Sequence, residues 1–229
     1  MIKIITYLIF LIFFNSLFCQ KDEIGNRIIL NSGNIKNSKY HVYKPPFKAK
    51  AIYKNKNEAL NLYPEQLMSS ILSASNQEWV DYNTLGGSNE SDKKGQEHFN
   101  KVKTINIDQK YFELQSKLEF IANNFQMAIV KFYYHQPNKK PIAGSIVMQK
   151  QEDIWKTTST PYTTKIAMAL MVFKPEIFGR ILLGEGINEM EYALINDVTD
   201  NNGFSFNKLM KRKLSEIEKN YFTNPLNWK

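Results

Sequence analysis

One cysteine, three histidines and ten glycines are spread over 229 residues, and each scarcity excludes something. Cys19 stands alone, so the chain forms no intramolecular disulfide. A small secreted animal module is normally stapled. The lack of staples points to a larger domain held by its core, as in a bacterial envelope protein. His41, His98 and His135 include no pair at the i, i+2 or i, i+4 spacing, so no single element offers two imidazoles to a metal. Gly184-Glu185-Gly186 is a lone Gly-x-Gly with no strand leading into it, and it reads as a helix stop rather than a phosphate cradle. Ser145 follows Gly144 inside a strand, without the strand-turn-helix setting of a nucleophile elbow. There is no internal repeat, no low-complexity block, and only one long apolar run. No motif calls for a cofactor or a metal.

That single run, Ile4 to Phe14, is about eleven residues long, follows the positive Lys3 and gives way to polar sequence. It is too short to span a bilayer comfortably and reads as an export leader, residues 1–19. Cleavage after Cys19 is the first choice. Lipidation of Cys19 as a membrane anchor is the second, against which stands the bulk of Phe18, and an uncleaved anchor is the third. The expected address is periplasmic or extracellular.

A hydrophobic share of 43% with 13% aromatics suffices for a sizeable core. Net charge is +8, and without the leader 29 basic residues stand against 22 acidic ones. The basic residues are scattered, which describes a solvated surface better than a nucleic-acid footprint, so no nucleic-acid partner is expected.

Residues 20–57 are polar, with Pro45-Pro46 in the middle, and read as a partly ordered tether in which Arg27–Leu30 and Tyr40–Tyr43 offer edge pairing. Asn57 to Asn83 reads as one helix with Pro64 in its first turn. Its stripe is Met68, Ile71, Leu72, Ser75, Trp79 and Tyr82. Leu85 to Gln96 is loop-like. From Lys110 to Thr160 the pattern predicts a four-strand antiparallel meander. The first strand alternates strictly, with Phe112, Leu114, Ser116, Leu118 and Phe120 on one side. Asn123-Asn124 is a turn signal. The next strand is apolar on both faces: Met127 and Ile129 on one, Ala128, Val130 and Phe132 on the other. It therefore belongs in the middle, covered on both sides. Helices are expected over Thr163–Val172, Glu176–Leu183, Asn188–Val198 and Ser205–Asn220. The expectation is an α+β fold: a curved antiparallel sheet on an N-terminal helix, domain 58–161, with a helical C-terminal extension, 162–229.

Tyr63-Pro64-Glu65 opens the first helix and Ser73-Ala74-Ser75-Asn76 to Trp79 lies near its end. Ile146 to Lys150 and Ile154-Trp155-Lys156-Thr157 form the last hairpin. Over residues 58–161 this order resembles the nuclear-transport-factor-two-like superfamily, which includes ketosteroid isomerase and SnoaL-like enzymes. The resemblance implies a cone of curved sheet wrapped round helices, with a cavity between them. Its enzymes place an Asp, His or Tyr in that cavity, while other members bind small molecules or proteins without catalysis. Residues 162–229 depart from the pattern.

A general base in such a cavity would come from Asp108, Asp81 or His135, each with a plainer alternative as a turn, solvated or strand-end residue. Glu113 and Glu119 alternate with the apolar set and face away from the side the first strand buries. Tyr82, Phe132, Tyr134 and Trp155 are candidates to line a ligand cavity, with core packing as the alternative. The leading expectation is an exported, non-catalytic binding or interaction module of a bacterial envelope, meeting an envelope protein or a small hydrophobic molecule. The alternatives are a lyase, isomerase or hydrolase using a pocket carboxylate or histidine, and a structural envelope protein without ligand.

Overall fold

The computed structural model describes residues 36–87, 99, 109–183, 188–200, 203–204 and 213–223. The leader, Arg27–Leu30, Asp108, Gly184–Gly186 and 205–212 lie outside the described residues. The fold is α+β. Five antiparallel strands follow one another in chain order: β1 (Lys36–Lys50), β2 (Tyr111–Ala122), β3 (Phe125–His135), β4 (Ile142–Gln151) and β5 (Ile154–Thr157). The meander therefore has one strand more than expected. Fifteen residues of the polar stretch read as a tether form an edge strand. Its length was hidden because Pro45-Pro46 breaks the pattern. Val42 pairs Ser116 and Phe47 pairs Leu114, so residues 43–46 bulge out of the ladder. A bulge on an edge strand is where proline, lacking an N–H, is tolerated.

The hairpin turns obey their residues. Asn123 and Asn124 have φ of 49° and 66°, and Glu152 and Asp153 have 49° and 69°. These are the left-handed pairs that tight hairpins require and Asn and Asp tolerate best.

The expected single helix is two: α1 (Pro64–Ser73), with Pro64 in its first turn as expected, and α2 (Gln77–Asn83). Asn76 breaks them apart. Its backbone is extended and its side chain accepts from Trp79 N, the geometry of an N-cap. α3 (Pro161–Val172) begins with a capping box between Thr160 and Thr163, two residues earlier than expected. α4 (Pro175–Leu183) and α5 (Glu189–Val198) follow, then a two-residue ribbon, β6 (Thr199–Asp200) with β7 (Gly203–Phe204). The last expected helix is, among the described residues, only α6 (Glu216–Lys219), capped by Ser215. No helix among the described residues is long and apolar enough to cross a membrane.

Both faces of the sheet are covered. α1 packs on one, over Ala49, Phe112, Leu114, Ala128, Val130, Phe132 and Met148. α3 to α6 cover the other, where Leu118, Phe120, Met127, Ile129 and Val147 meet Leu170, Phe173, Phe178 and Phe222. β3 is central and two-sided, as its composition predicts. β2 differs from expectation in one respect. Its even-numbered residues are all buried, but not in one core. Leu114 pairs Phe132 while Ser116 pairs Lys131, so Gln115 is an extra residue on β2. That bulge turns the strand over. Phe112 and Leu114 face α1, and Leu118 and Phe120 face the C-terminal helices. Glu113 and Glu119 consequently lie on opposite faces, and each is on a covered side of the sheet.

Candidate functional site

The candidate site is an apolar pocket of about 430 Å³ between α1 and the ends of β2, β3 and β4. Ile71, Leu72 and Ala74 supply one wall; Phe112, Phe132 and Tyr134 supply the other. The two phenylalanine rings lie 4.6 Å apart, and Tyr134 lies 5.2 Å from Phe112. Gly144 makes room on the floor, since a Cβ there would sit 2.6 Å from the Phe132 ring. Lys110, just before β2, is the one charged residue lining the space among the described residues. Burial holds its ammonium below the ordinary lysine range, and the neighbouring positive Lys139 lowers it further. Burial likewise pushes the Tyr134 phenol up.

Two of the sequence candidates, Phe132 and Tyr134, therefore line the pocket. The others are elsewhere. Tyr82 donates to Ala59 O at 2.8 Å and packs with Trp79. Asp81 accepts from Gln77 Nε2 at 2.8 Å on the surface of α2. Trp155 belongs to the core under α1 and borders a shallow hollow with Glu119 and Gln126 at the far end of the sheet. His135 alternates with Tyr134 and so lies on the opposite face. Its ring stacks on Tyr111 at 4.4 Å, and Nε2 lies 3.3 Å from Glu113 Oε2, in ion-pair range without hydrogen-bond alignment. Among the described residues, no histidine or carboxylate lines the pocket, and no group of three or more His, Cys, Asp or Glu is placed to hold a metal ion.

Two polar centres escaped the sequence reading. On the α1 face, Glu65 Oε1 accepts from Lys117 Nζ at 2.8 Å and from the Tyr43 hydroxyl. Burial pushes the Glu65 carboxyl up, but the hydrogen bonds from Lys117 and Tyr43, a backbone hydrogen bond and the charge of Lys117 together outweigh it and hold the group below the usual carboxylate range. Burial and then Glu65 itself push the Tyr43 phenol up. This triad ties β1, α1 and β2 together. The sequence separates its members too widely for any local pattern to join them.

The second centre is Lys131, in the middle of β3 and 0% exposed. Its Nζ donates to Phe173 O at 2.5 Å and to Thr223 Oγ1, and Thr223 Oγ1 donates to Phe173 O at 3.0 Å. Burial lowers its pKa to about 7, against a smaller opposing pull from Glu176. Its cross-strand neighbour Ser116 is also 0% exposed, and among the described residues its Oγ has no well-aligned hydrogen-bond partner. A serine beside a lysine of lowered basicity has the composition of a nucleophile and its base. Here both are buried and the Lys131 ammonium is engaged by Phe173 O and Thr223 Oγ1, so the lysine ties β3 to the C-terminal segment. A lysine inside an otherwise apolar, two-sided strand was the signal that would have found it.

No protein-family profile, no curated protein and no solved structure matches the chain.

Proposed function

We propose that this chain is an exported, non-catalytic binding module of a bacterial envelope, and that its binding site is the pocket between α1 and the ends of β2–β4. The observation that carries the reading is the lining of that pocket: aliphatic and aromatic side chains, a glycine floor and one lysine. A volume of about 430 Å³ falls in the range of small-molecule sites. The lining also favours binding over the lyase, isomerase or hydrolase alternative, which needs a carboxylate or imidazole aimed at a substrate. Kinship with the nuclear-transport-factor-two-like superfamily is part of this proposal, resting on the order of elements over 58–161. Export rests on the leader, residues 1–19, and fractionation of cells expressing the chain tests it.

The binding reading is tested by titrating the purified protein with an environment-sensitive apolar dye. Saturable enhancement is expected. Leu72→Trp, which fills the space from a half-buried helix position, should weaken it about tenfold or more while leaving the unfolding midpoint nearly unchanged. Undiminished dye binding in that variant would remove the pocket as the site.

A further inference from the structure

The charge arrangement at the pocket says more about the ligand than its apolar walls do. Lys110 is half-buried against those walls, and Lys139, of the same sign, is its electrostatic neighbour. Among the described residues no carboxylate pairs with Lys110, and none lines the pocket. Tyr134 stands on the same lining, and its hydroxyl has no hydrogen-bond partner among the described residues. Two side-chain donors with no acceptor among the described residues thus border a space otherwise lined by apolar side chains. Partial burial and Lys139 both disfavour the charge on Lys110, and an anion brought beside it offsets both.

We propose that the pocket takes a single-chain amphiphile with a carboxylate head, a free fatty acid, its tail against Ile71, Leu72, Phe112 and Phe132 and its head between Lys110 and Tyr134. This deepens the binding reading above and rests on it. The alkyl tail matches the walls. The carboxylate accepts a charge-assisted hydrogen bond from the ammonium and a second from the phenol. A neutral tail of equal length gains the same apolar burial and leaves the lysine unpaired. A cationic head adds a third positive charge beside Lys110 and Lys139. A two-chained lipid brings roughly twice the tail to a pocket sized for one small ligand.

The test is calorimetric titration of the purified protein at pH 7 and low salt with decanoate, decanol and decyltrimethylammonium. Decanoate is expected to bind roughly tenfold or more tightly than decanol, with the cation weakest. In Lys110→Met the decanoate advantage should vanish while decanol binding persists, which also shows that the variant is folded. Lys110→Arg should keep the advantage, and Tyr134→Phe should lose part of it. Equal binding of decanoate and decanol, or an advantage that survives Lys110→Met, overturns the carboxylate assignment and leaves the apolar pocket standing. Binding of none of the three, with the apolar dye also failing, overturns both.

Discussion

Lys131 has the most consequential environment of any single residue described. An ammonium wholly enclosed by protein is tolerated because Phe173 O and Thr223 Oγ1 accept from it. Its pKa is lowered from 10.5 in an ordinary setting to about 7 in the fold. Between those values the unfolded chain binds the proton and the folded chain does not. Stability therefore rises with pH across that window, and the penalty is full below pH 7. In urea unfolding, the native protein should gain on the order of 3 kcal/mol from pH 7 to pH 10 relative to Lys131→Met. A parallel pH dependence for the two proteins would mean that the lysine is not titrating inside the fold. Residue-scale chemistry of this kind was the least legible part of the sequence. Lys131 pairs with groups 42 and 92 positions away, and no local pattern carries such distances. Phe132 and Tyr134 were legible as candidates to line a cavity, with core packing as the alternative; strand periodicity puts them on a common face, and both border the pocket.

At the scale of elements, the sequence was informative wherever a backbone rule was local. The left-handed Asn and Asp turns, Pro64 at a helix start and the two-sided β3 all follow from a few neighbouring residues. The broken first helix was missed because its apolar stripe runs straight through the break: Leu72 and Trp79 keep a helical spacing although Asn76 is extended between them. What fixes the two halves is a buried chain of hydrogen bonds. Trp79 Nε1 donates to Ser70 Oγ at 2.9 Å, Ser70 Oγ to Asn83 Oδ1 at 2.8 Å, and Asn61 Nδ2 to the same oxygen at 2.9 Å. Asn83→Ala leaves two buried donors without an acceptor and should cost about 2–3 kcal/mol in chemical denaturation. Thr160→Ala, which removes the α3 cap at a half-exposed position, should cost only about 1 kcal/mol.

Taken whole, the described residues form a sheet covered on both faces. α1 and α2 close one face, and the C-terminal extension closes the other. The final described segment, 213–223, is not an appendage. Phe222 stacks on Phe173 at 5.1 Å, Thr223 N donates to Val172 O at 2.7 Å, and Lys174 N donates to Tyr221 O at 3.0 Å. Composition and helix signals made the extension visible and led to its being expected to pack on the domain. The seating of its last described residues was not legible, because that contact is made by a short irregular segment with no period of its own. Phe222→Ala should lower stability by about 3–5 kcal/mol, with earlier thermal unfolding and increased apolar-dye binding as the readouts. An unchanged midpoint would mean that the sheet does not depend on this closure.

The extra residue at Gln115 has a consequence for how the chain tolerates change. β2 behaves like a message with one spacer letter, whose two halves are read in opposite phase. Substituting the spacer leaves both phases intact, so Gln115→Ala should be nearly neutral. Deleting it shifts one half against the other by a single step, which would turn either Phe112 and Leu114 or Leu118 and Phe120 out of the core that holds them. The deletion variant should fail to fold, read as loss of soluble expression, although no side chain of the core has been altered. At this position the chain is protected against changes of letter and exposed to changes of length, so natural variants are expected to differ there by substitution and never by the loss of a single residue.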